Sequence, residues 1–131
     1  MGRLTVHATG PARPETVWQR YARIDRWASW SPQIRAVRTP DRRLTSGMCG
    51  TVESIAGIRV AFTVEHVEHV DHDHRTWTWR VRLGPTRLRL HHNVRAHGRG
   101  STTGLTMEGP RPVILAHAPL ARLALRRLVR P

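Results

Sequence analysis

Between Ile58 and Met107, apolar and polar side chains alternate in consecutive runs. Ile58, Val60, Phe62 and Val64 alternate with Arg59, Ala61, Thr63 and Glu65. Trp77, Trp79, Val81 and Leu83 alternate with Thr78, Arg80 and Arg82. Leu88, Leu90, His92 and Val94 alternate with Arg89, His91 and Asn93, and Thr103, Leu105 and Met107 close the series. A period of two sends successive side chains to opposite faces of a strand, so each run predicts a strand with one buried face. Asp71 to His74, Gly84-Pro85 and His97 to Ser101 supply the turns between them. Upstream, the same pattern predicts strands over Arg3 to Thr9, over Gln33 to Thr39, and from Gly47 through Ile55 with a turn at Ala56-Gly57. The odd spacing of Ile34 and Val37 predicts a bulge in the second of these.

Two regions change to helical spacing. Arg13-Pro14-Glu15 reads as a helix start, with proline and an acid in the first turn, followed by Val17, Trp18, Tyr21 and Ile24 on one face. A second short helical piece over Ile24 to Trp27 ends before Ser31-Pro32. Pro112 to Pro131 is the longest apolar segment and predicts one long helix, which Pro119 is expected to kink or split near Ala118. Arg122, Arg126, Arg127 and Arg130 near its end favour the helix dipole. The order is a strand, two short helices, about six meandering antiparallel strands and a final helix. That is an α+β domain over residues 1–131, long enough to bury roughly two thirds of its unfolded surface.

The net charge of +13 comes with 22 arginines and no lysine. The charge is spread along the chain rather than gathered in a tail. Arg80, Arg82, Arg87, Arg89 and Arg95 fall on one outward hairpin face, while Trp77 and Trp79 point the other way. A nucleic-acid surface adds stacking aromatics to such a ladder. A solvated basic face is therefore expected, without specific nucleic-acid binding, although salt-sensitive affinity for polyanions follows from the charge. No run reaches the ~18 uncharged apolar residues of a membrane span. The first residues lack a secretory apolar core and Cys49 is the sole cysteine, so a cytoplasmic location is expected.

Alternation also assigns an inward set. With Val60, Phe62 and Val64 facing in, Trp77, Trp79, Leu88, Leu90, His92, Val94, Leu105 and Met107 follow. His92 is the one titratable group among them, a candidate ligand contact or general base. The indole N–H groups of Trp77 and Trp79 are possible donors to a ligand carbonyl. His117 lies with Val113 and Leu120 at helical spacing and faces the same space. Trp27 and Trp30, followed by Ser31-Pro32, are expected where the short helices meet the sheet, with Trp30 at a pocket mouth. The run Glu65 to His74 has metal-binding residue types, with His66, His72 and His74 of one parity and His69 of the other. It has no fixed ligand spacing, so no metal is expected. No phosphate loop, dinucleotide fingerprint, nucleophile elbow or CxxC is present, and no cofactor is expected.

Four stretches resemble the START-like helix-grip superfamily, also called SRPBCC, and within it the polyketide cyclase/dehydrase-like proteins. They are PARPETVWQRYARIDRWASWSPQI, LTSGMCGTV, the TWTWRVRLG and LRLHHNV hairpin running into TTGLTMEG, and the C-terminal helix. The resemblance implies a strongly curved sheet of six to seven strands gripping the last helix, with a hydrophobic cavity between them. Relatives bind lipids, sterols, hormones or polyketides, and some cyclise or dehydrate bound polyketide chains. A small hydrophobic ligand is the expected partner, contacted by Trp30, Phe62, Trp77, Trp79, Leu90, His92, Met107 and His117. The alternative is a polyketide cyclase or dehydratase with His92 as general base.

Overall fold

The computed structural model describes residues 2–71 and 73–131. Seven strands form one antiparallel sheet in the order β1-β7-β6-β5-β4-β3-β2. They are β1 (Gly2–Gly10), β2 (Ile34–Arg38), β3 (Cys49–Ser54), β4 (Arg59–Asp71), β5 (His74–Leu83), β6 (Thr86–His97) and β7 (Gly100–Gly109). Between β1 and β2 come α1 (Pro14–Ala22), a 3-10 turn (Ile24–Arg26) and α2 (Trp27–Trp30); α3 (Arg111–Leu128) ends the chain. Chain neighbours β2 to β7 pair in sequence as hairpins, and β1 closes onto β7. Residues from β2 through β7 meet α3 around one space, so the sheet curls about the helix.

Pairing carries out the alternation. Trp79 sits opposite Leu90 and Trp77 opposite His92, while Arg80 faces Arg89 and Arg82 faces Arg87 on the outer side. The expected bulge in β2 lies between Ile34 and Ala36. A second one, between Val64 and His66, extends β4 well beyond its alternating run. By inserting Glu65 it resets the parity, so Val64 pairs with Trp79, Val67 pairs with Trp77, and both turn inward. The bulged Glu65 faces out and accepts hydrogen bonds from Arg80 at 2.8 Å and Arg89 at 3.1 Å. Burial raises its proton affinity, but the two guanidiniums outweigh this and hold the carboxyl below its usual range.

The last helix differs from expectation at Pro119. It is not split at Pro119 but runs unbroken from Arg111 to Leu128. The proline removes the bond to the Leu115 carbonyl, and Leu115 is 65% exposed, on a side where water can take its place. The helix exposes Leu120 and Leu123 as well. Its C-terminus is held by a residue absent from the sequence reading. Arg20 on α1 donates from Nη1 to the carbonyls of Leu128 at 2.6 Å and Arg130 at 2.7 Å. These are terminal carbonyls without helical partners, so a cation there satisfies both hydrogen bonding and the dipole. Arg20→Met is expected to lower unfolding free energy by about 1–3 kcal/mol, read from the urea midpoint.

Glycine sets the shape of two hairpin tips. Gly57 (φ +74°) and Gly84 (φ +56°) take left-handed backbone at the β3–β4 and β5–β6 turns, a region where a Cβ is strained. Both tips border the space described next.

Candidate functional site

Between the sheet and α3 lies a cavity of about 340 Å³. Its sheet wall comes from Ile34, Val52, Val60, Trp79, Val81, Leu88, Leu90, His92 and Leu105, and α3 contributes Val113, His117, Leu120, Ala121, Ala124 and Leu125. Trp30, at the end of α2, closes one side. Ile58, Leu83 and Leu120 both line the cavity and face solvent, which places its mouth at the hairpin tips and the first half of α3. Among the described residues, no arginine, aspartate or glutamate lines the cavity.

Five of the eight expected contact residues line this space: Trp30, Trp79, Leu90, His92 and His117. Phe62, Trp77 and Met107 do not. They lie beneath it in the core, where Trp77 and Met107 are fully buried. Trp77 stacks on Trp27 at 5.6 Å and on His92 at 4.3 Å, so it supports the wall from behind. Alternation gave these side chains the correct face, but depth within the core depends on sheet curvature, which the pattern does not encode.

His92 is fixed on several sides. Its ring lies parallel to Trp77 within 6°, and Tyr21 meets it edge-on at 5.1 Å. Trp79 donates its indole N–H to His92 Nε2 at 3.1 Å. A neutral imidazole that accepts at Nε2 carries its proton on Nδ1. That Nδ1 is buried and has no hydrogen-bond partner among the described residues. Burial, then the neighbouring His91 and His117, push the His92 pKa down to about 3. Burial also lowers that of His117. Both cavity histidines are therefore neutral near pH 7. His92 has its accepting nitrogen occupied and a low proton affinity, which makes it a poor general base and a ready N–H donor.

Ser31, Gln33 and Ser54, which the inward alternation from Ile58 to Met107 does not reach, add a polar corner to the cavity. Gln33 Oε1 is buried there without a hydrogen-bond partner among the described residues. Extending the alternation into β3, where Val52 pairs with Val60, would have placed Val52 and Ser54 on the inner face. Leu125 also lines the cavity, because the lining stripe on α3 is two residues wide. In the acidic and histidine-rich run, Glu68, His69, Val70 and Asp71 are exposed, and His72 lies outside the described residues. Among the described residues, no three His, Cys, Asp or Glu side chains gather as a metal site.

A curled seven-stranded antiparallel sheet around a C-terminal helix, with two short helices after β1, is the helix-grip fold of the START-like superfamily. The chain belongs to the family described as polyketide cyclase / dehydrase and lipid transport, whose family model matches residues 1–131. Its fold is similar to a hypothetical protein of Helicobacter pylori (TM-score 0.80, 14% identity, 98% of this chain and 86% of that one). Ara h 8.0201 is similar with TM-score 0.76 and 10% identity over 97% of this chain and 94% of that one. DynU16, from the dynemicin biosynthetic locus, has TM-score 0.69 and 18% identity, covering 96% of this chain and 46% of the other. At these identities the likeness is one of fold. No curated protein matches the sequence. Among the described residues, no helix is long and apolar enough to cross a membrane.

Proposed function

We propose that this protein binds a small, neutral, largely apolar molecule in the cavity between the sheet and α3. The observation that carries this reading is the wall itself: in a chain with 22 arginines, a space of about 340 Å³ has no arginine, aspartate or glutamate among the described residues that line it. That volume falls within the few hundred cubic ångströms of ordinary ligand sites. Burying an ion there would leave it without a counter-charge. A ligand with one or two neutral polar groups matches the unpartnered His92 Nδ1–H and Gln33 Oε1. Trp30 and Trp79 offer flat apolar contacts, and Leu90 and His117 complete the proposed contact set.

The cyclase or dehydratase reading needs a base in the cavity. The acceptor nitrogen of His92 is engaged by the Trp79 indole and its proton affinity is lowered, which favours binding over proton abstraction. A cytoplasmic location is proposed with it, since the exposed Cys49 is unpaired. Titration with the neutral fluorophore N-phenyl-1-naphthylamine is expected to give a saturable rise in emission and a higher melting temperature. Absence of both, together with no stabilisation by other neutral apolar compounds, would remove the proposal.

A further inference from the structure

We propose that the rim of this cavity docks on an anionic lipid bilayer, with the hairpin tips and the outer flank of α3 entering the headgroup layer. The inference rests on reading the cavity as a site for an apolar molecule. Large aliphatic side chains stand exposed around the mouth: Ile55 at 63% and Ile58 at 44% on the β3–β4 tip, Leu83 at 46% on the β5–β6 tip, and Leu120 at 37% on α3. A soluble surface seldom gathers such side chains in one place unless something covers them.

Charge selects the cover. Arg82 and Arg87 sit directly opposite one another beside the Leu83 tip, and Arg59 follows Ile58. Like charges paired across strands repel. Deeper in the same ladder Arg80 and Arg89 share Glu65, but among the described residues no acid forms an ion pair with Arg59, Arg82 or Arg87. Lipid phosphates would supply the missing anions while the acyl boundary takes the aliphatic side chains. A nucleic acid would use the arginines and gain nothing from the isoleucines and leucines. A second copy would bring its own arginines against these. Docked this way, the mouth opens toward the acyl region, and an apolar ligand enters without crossing water.

Co-sedimentation with vesicles tests this. Binding is expected to mixed phosphatidylglycerol and phosphatidylcholine vesicles, to weaken with salt, and to be slight on pure phosphatidylcholine. Arg82→Glu combined with Arg87→Glu, and separately Ile55→Asp, are each expected to weaken it about tenfold. None of these three residues lines the cavity, so fluorophore binding without vesicles stays unchanged and separates this test from that of the cavity. Equal binding to both vesicle types, or none to either, would overturn the inference. So would anionic binding that Ile55→Asp leaves intact, since that is attraction of net charge to any polyanion.

Discussion

Trp27→Ala is expected to lower unfolding free energy by about 3–5 kcal/mol, read from denaturant midpoints. Trp27 is fully buried. It stacks on Trp77 at 5.6 Å and meets Trp79 at 5.1 Å and Phe62 at 5.8 Å. Its indole donates to the Tyr21 carbonyl at 2.7 Å. Truncation would leave a large void, an unpartnered carbonyl and a lost anchor between α2 and the sheet. Trp30, three residues on, is the contrast. It donates to the Arg20 carbonyl at 2.9 Å but presents its ring to existing empty space. Trp30→Ala should therefore cost less stability than Trp27→Ala and weaken ligand binding more. Equal losses would mean that Trp30 is as much a core residue as Trp27.

Acid is expected to destabilise the fold well before most carboxylates titrate. The unfolded chain takes up a proton on His92 near the ordinary value of 6.5, whereas the folded protein does so only near 3. Across that window the unfolded state binds more protons, so stability falls as pH falls. The slope from one such group approaches about 1.4 kcal/mol per pH unit. His91 and His117 are depressed in the same direction and add to it. Glu65, held below its ordinary value of 4.5 by Arg80 and Arg89, acts in the same direction from the lower part of this window downward, as its carboxyl takes up a proton and loses its bonds to the two arginines. Urea unfolding followed from neutral pH to pH ~4 measures this slope. His92→Phe keeps a ring against Trp77 and removes the titration, so it should flatten the slope whatever it does to stability at pH 7. An unchanged slope would show that His92 is not held neutral.

Much of this arrangement could be read from residue order. Strand faces, the bulge at Ile34, the turn glycines and the long helix all follow from local periodicity, because the buried face of a strand or helix must be apolar along its length. Two kinds of feature did not follow. The bulge at Glu65 breaks the period within a run of His, Glu and Val, where either parity looks equally plausible. The roles of Arg20, Phe62, Trp77 and Met107 depend on how far the sheet curls and which ends it brings together. Likewise, His92 was legible as the one titratable inward residue, but its engagement by Trp79 arises only when β5 and β6 pair in this register. That pairing is what turns a candidate base into a candidate donor.

The ligand is expected in the space under α3. Ala121 lines it and is almost fully buried, so Ala121→Phe would place a ring in the cavity without adding to the surface. The decisive measurement is the N-phenyl-1-naphthylamine titration of this variant beside the wild type, with melting followed by circular dichroism. Saturable binding is expected for the wild type, and loss of that binding in a variant that still unfolds cooperatively. Undiminished binding by a folded Ala121→Phe would place the apolar site elsewhere and contradict it.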